Sequence, residues 1–100
     1  MSKWADYVIT AVRFNMQGTH IDQVQIREDK GDTIGDAQTY GRQAIVDAIK
    51  KNITFVTAFI QDSKWQLGKS VYIVPINGSE YIKTVADNKL VDNLDNLPTF

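Results

Sequence analysis

One hundred residues, 43% of them apolar and 23% charged, suit one ordinary globular domain. Eleven basic against twelve acidic side chains give a net charge of -1, so overall charge draws the chain neither to nucleic acid nor to an anionic membrane. With no cysteine, disulfides, thiolate metal sites and thiol nucleophiles are excluded.

The N-terminal Met-Ser-Lys-Trp-Ala-Asp lacks the apolar run of a signal peptide, and no apolar stretch approaches the roughly 20 residues that span a bilayer. The expectation is a soluble cytoplasmic protein of one domain, 1–100. Residues 6–14 are rich in β-formers, with Val8, Val12 and Phe14 making the even positions the more apolar. Met16-Gln17-Gly18-Thr19 reads as a turn, and residues 20–28 alternate, with Ile21, Val24 and Ile26 among polar neighbours. The break in phase between Ile21 and Val24 predicts a bulge or a late strand start.

Residues 29–36 are polar and turn-rich, hence a loop. Ala44, Ile45, Ala48 and Ile49 then form one stripe of a helix over residues 42–51, capped at Thr39 or Gly41 and ending in Lys50 and Lys51. Residues 53–60 are apolar almost throughout, which predicts a central strand covered on both faces. Residues 61–68 read as a loop carrying Trp65. The last strands, 71–76 and 81–86, flank Asn77-Gly78, a two-residue hairpin turn that pairs Val74 with Tyr81, Ile73 with Ile82 and Tyr72 with Lys83. Pro75 cannot donate to a ladder, so its strand lies at an edge or bulges. Residues 87–100 form an Asp/Asn-rich tail whose Leu90, Val91, Leu94 and Leu97 would dock on the core. The order β-β-α-β-β-β predicts an α+β fold: a mostly antiparallel five-stranded sheet or partial barrel with one helix packed on it.

No catalytic constellation assembles. Leu67-Gly68-Lys69-Ser70 resembles the end of a phosphate loop, but Ser63 stands where that motif needs its first glycine, and a strand follows instead of a helix. His20 is the only histidine, and Asp22 beside it would orient it as a base, yet no nucleophile is placed nearby; a capping or surface role is the simpler reading. Glu28, Asp29, Asp32 and Asp36 lack the spacing of a calcium loop and read as solvated turn acids, while Asp87, Asp92 and Asp95 read as turn formers in a structural cap. The best binding candidate is the closing hairpin, with Tyr72, Tyr81 and Lys83 on one face and Trp65 and Arg42 nearby. No catalytic residue, metal site or cofactor is expected.

Several segments in order carry a resemblance: Ala5-Asp-Tyr-Val-Ile-Thr-Ala-Val-Arg13, His20-Ile-Asp22, Arg42-Gln-Ala-Ile-Val-Asp-Ala-Ile49, Phe55-Val-Thr57, Val71-Tyr-Ile-Val74 with Asn77-Gly78, Tyr81-Ile-Lys-Thr84 and Asp92-Asn-Leu-Asp-Asn-Leu-Pro98. Together they resemble a family of small bacterial and phage proteins of about this length, a domain of unknown function. The resemblance implies a single α+β domain of prokaryotic or phage origin and assigns no catalytic residue.

The functional expectation is a non-enzymatic module that binds a protein partner or itself. The alternative is a binder of a nucleotide or phosphorylated metabolite at the aromatic and basic hairpin face. Nucleic acid ranks below both on charge, although Lys50, Lys51 and Lys64 could form a local basic face, and no membrane is expected as a partner.

Overall fold

Strand β1 (Tyr7–Phe14) lies antiparallel to β2 (Ile21–Glu28) in the computed structural model, which describes residues 4–16, 20–31, 33–76, 78–84 and 97–100. Strict alternation would send Val8, Val12 and Phe14 to one face. The pairing slips between Ile9 and Ala11, however, and Thr10 becomes an extra residue that reverses the phase. Val8 therefore packs with Val56 and Ala58 on one side, whereas Ile9 and Val12 both enter the larger core on the other. A second slip leaves Asp22 without an opposite residue and turns Ile21 and Val24 to the same face, the bulge that their spacing predicts.

Strand β3 (Gln38–Gly41), missing from the sequence reading, pairs with the outer edge of β2. All four of its residues are exposed, so no apolar pattern marks it. Helix α1 (Arg42–Lys50) follows directly, with Gly41 at its N-cap and no side-chain cap. Its buried stripe is rotated from the one expected: Ile45 and Val46 are buried, Ala48 and Ile49 pack partly, and Ala44 is exposed. The helix ends in a Schellman motif. Asn52 takes φ 68, its N–H donates to the Ile49 carbonyl, and the Ile53 N–H donates to the Ala48 carbonyl. Ile53, just past the cap, packs on the same core as Ala48 and closes the motif on its apolar side.

Strand β4 (Phe55–Gln61) runs parallel to β1, matching Tyr7–Ile9 to Phe55–Thr57, and antiparallel to β5 (Lys64–Ser70). The sheet order is β3-β2-β1-β4-β5, a mixed five-stranded sheet with β1 at its centre. Residues 53–60 thus supply a strand beside the centre, buried on both faces only through Phe55–Ala58. The stretch read as a loop is a tight turn and a strand. Asp62 (φ 54) and Ser63 (φ 63) both adopt the left-handed conformation of a two-residue type I′ turn, which glycine usually marks and these residues do not.

Strands β6 (Tyr72–Ile76) and β7 (Ser79–Lys83) form a separate two-stranded sheet. Their register is the one the turn predicts, with Tyr72 opposite Lys83, Ile73 opposite Ile82 and Val74 opposite Tyr81. Gly78, at φ 83, supplies the positive dihedral of the turn. The larger core lies between one face of the sheet, α1 and this hairpin, where Ile82 is fully buried, a gain of about 1.5–3 kcal/mol over leaving it exposed. The fold is α+β, with one helix among the described residues. None of the described helices is long and apolar enough to cross a membrane.

Residues 97–100 return to β1. The Val12 N–H donates to the Pro98 carbonyl at 2.9 Å and the Phe100 N–H donates to the Val12 carbonyl at 3.0 Å. Arg13 Nε donates to the Phe100 carbonyl at 2.8 Å, with its guanidinium over the Phe100 ring. Leu97 packs against the larger core. The rest of the expected docking tail, with Leu90, Val91, Leu94 and its aspartates, lies outside the described residues.

Candidate functional site

Past Thr57, β4 leaves β1. Val12, farther along β1, is instead bridged by Thr99 of the C-terminal segment. The second half of β4 and the first half of β5 therefore form an arm whose inner edge, Ala58–Gln61, has no strand partner among the described residues. The arm carries Phe59, Ile60 and Leu67, which are 42%, 61% and 50% exposed. Ile60 stands opposite Trp65 and Ala58 opposite Leu67, so these four share one face of the ribbon, and Phe59 points to the other.

Where the strands part, a groove of about 570 Å³ opens. Phe59, Ile60 and Trp65 line it from the arm, Leu97 and Pro98 from the C-terminal segment, and Thr10 and Thr57 at the fork. The β1 bulge at Thr10 thus helps to shape the groove as well as reversing the strand's phase. On β5, Gly68 and Lys69 both face Thr57, so the pairing slips there too. The Lys69 N–H donates to Thr57 Oγ1 at 2.9 Å. A Cβ on Gly68 would stand 2.1 Å from that hydroxyl oxygen and 2.8 Å from the Thr57 carbonyl oxygen, so only glycine fits.

The charges around the arm are mainly cationic. Lys64 and Lys69 lie exposed on β5, and Asp62 is the one carboxylate between Phe55 and Ser70. The Arg27 guanidinium sits 5.3 Å from the Trp65 ring centroid, held by its Nη1 donating to the Gly35 carbonyl at 3.0 Å.

The hairpin residues expected to bind are drawn together, but inward. Tyr81 is 6% exposed and Lys83 is fully buried. The Lys83 Nζ lies 5.7 Å from the Tyr81 ring centroid, and His20 stacks on that ring at 5.2 Å and 11°. Tyr72, opposite Lys83, is half-buried. The opposite face of the hairpin, with Ile73, Ile82 and Glu80, is the one turned to α1: the Glu80 carbonyl accepts from Arg42 Nη2, its carboxylate pairs with Lys50 Nζ at 2.8 Å, and Ile73 and Ile82 pack on the larger core. Arg42 and Lys50 act as struts there, and His20 is a half-buried packing residue, not a surface one. Trp65 alone of the expected set belongs to the arm.

Asp29 also departs from its expected role as a solvated acid. It is 3% exposed, and its carboxylate accepts the N–H groups of Trp4 (2.7 Å), Ala5 (3.3 Å) and Gly31 (2.9 Å). It pins the chain before β1, whose Trp4 and Ala5 pack with Val8, Val56 and Ala58 on the second face of the sheet. Asp22 is exposed at its bulge, and Asp32 lies outside the described residues. Among the described residues, no three His, Cys, Asp or Glu side chains cluster so as to hold a metal ion. Leu67-Gly68-Lys69-Ser70 is part of strand β5.

Phe59 and Ile60 were missed as surface candidates because they fall in an apolar run that reads as a strand covered on both faces, and Leu67 because it falls in a stretch that reads as a loop. No sequence signal marks the turn that carries them, because Asp62 and Ser63 take positive φ without glycine. No curated protein and no solved structure matches the chain. A family model described as a protein of unknown function, DUF3892, matches residues 8–98, and the chain belongs to that family.

Proposed function

We propose that this chain is a non-enzymatic protein-binding module of bacterial or phage origin that acts in the cytoplasm through the β4–β5 arm. One observation carries the reading: three large apolar side chains, Phe59, Ile60 and Leu67, stand exposed on a single hairpin that leaves the sheet. Scattered apolar residues are normal on a surface, but here Phe59 and Ile60 line a groove and Leu67 shares the ribbon face of Ile60, which is the pattern of a contact site. The test uses the protein and its Ile60→Ser variant as baits in extract of the source cells, alongside light scattering of each. The protein is expected to retain a protein partner or to self-associate, and the variant to lose that property. A monomer that retains nothing, or a variant that retains everything, removes the reading.

A second reading is supported by the groove itself, whose volume of about 570 Å³ falls within the roughly 300–1,000 Å³ of small-molecule sites. It replaces the tyrosine hairpin of the sequence reading with Phe59, Ile60 and Trp65. Native mass spectrometry of gently purified protein decides it: a mass above a whole multiple of the 11.3 kDa chain marks a retained ligand.

A further inference from the structure

The sheet has three free edges among the described residues, and they are not alike. The outer edge of β5 carries Lys64, Lys69 and the Gly68 bulge, all devices that discourage a further strand. The β3 edge is only four residues long. The inner edge of β4 from Ala58 to Gln61 has no lysine, proline or bulge, and it faces the apolar groove. An edge of this kind offers alternate N–H and C=O groups to any extended backbone laid along it.

Charge narrows what that backbone carries. Lys64 and Lys69 lie exposed on β5 beside Trp65 and Gly68 in sequence, the Arg27 guanidinium lies over the Trp65 ring, and Asp62 at the tip is the one carboxylate between Phe55 and Ser70, in a chain whose net charge is -1. We infer that the groove takes an extended segment of a partner protein, apolar at its centre and acidic at its flanks, which adds as a strand to the Ala58–Gln61 edge. This rests on the reading of the arm as a protein-binding surface. Main-chain hydrogen bonds to β4 supply affinity, an apolar side chain enters between Phe59, Ile60 and Leu97, and the flanking carboxylates meet the long lysine stems of β5 and the Arg27 guanidinium.

The experiment is a selection of random twelve-residue peptides displayed against the immobilised full-length chain, with affinities of the enriched peptides measured at low and high salt. Enriched peptides should carry a β-branched apolar run bordered by Asp or Glu, and should weaken at high salt. They should bind at least ten-fold more weakly to Ile60→Ser and to Lys64→Glu/Lys69→Glu, whose substitutions are all at exposed positions. N-methylation of alternate peptide amides should abolish binding. Selected peptides without acidic flanks, or binding indifferent to both variants or to N-methylation, overturn the inference. So does a selection that enriches nothing. If nothing is enriched while Ile60→Ser still abolishes self-association, the occupant is a second copy of the chain and the reading of the arm survives. A retained small molecule as the only occupant removes both.

Discussion

The two hairpins of this protein invert what their sequences advertise. The β6–β7 hairpin has the stronger signal, with Asn77-Gly78 between β-branched runs and two tyrosines and a lysine on one face. It is a core element, and its most chemically suggestive side chains, Tyr81 and Lys83, are buried. The β4–β5 hairpin has almost no signal. Its turn lacks glycine and its second strand is polar, yet it presents the exposed apolar surface. Aromatic and basic residues opposite one another in a strand pair establish only that they share a face. Whether that face is exposed depends on what packs against it: here His20 stacks on the Tyr81 ring, while the opposite face, with Ile73 and Ile82, enters the larger core.

Substitution can break or sharpen that contrast. Tyr81→Ala should have the largest effect, a loss of about 3–5 kcal/mol, because it empties a packed position beside His20 and Ile82. Urea unfolding reads it directly, and a fall within 0.5 kcal/mol or so, the usual range for a surface change, would return Tyr81 to the surface and erase the contrast. Gly68→Ala comes next, at about 1–3 kcal/mol, since its Cβ collides with Thr57 and the arm must shift. Amide chemical shifts should then move along β4 and β5 and stay fixed in β6 and β7. Ile60→Ser should change stability least, within about 0.5 kcal/mol, because the side chain is 61% exposed. That small effect is what separates a binding residue from a packing residue, and a loss near that of Tyr81→Ala would place Ile60 in a core.

Much of the architecture was legible in the sequence. The α+β class, strands β1 and β2, the bulge near Asp22, the helix and the register of β6 with β7 all follow from periodicity and turn chemistry. Strand β3 was hidden because four exposed residues have no period, and β5 because Asp62-Ser63 adopts positive φ without glycine. The Thr10 bulge left no trace either. Val8, Val12 and Phe14 look like one face until the partner strand shows that the phase reverses between them. The candidate site was less legible than the fold. Phe59 and Ile60 read as core and Leu67 as loop, and Thr10, Leu97 and Pro98 reach the groove only through pairings distant in sequence.

The parallel contact between β1 and β4 is three residues wide, Tyr7–Ile9 against Phe55–Thr57, yet it joins the β3-β2-β1 and β4-β5 portions of the sheet. Short seams are where a native structure opens first, below its global unfolding free energy. In hydrogen exchange, β4 and β5 should therefore open as one cooperative unit, with less protection than β1 and β2. A strand laid against β4 beyond Thr57 would brace that unit from its open side, so occupancy of the groove would appear as slowed amide exchange across both strands of the arm.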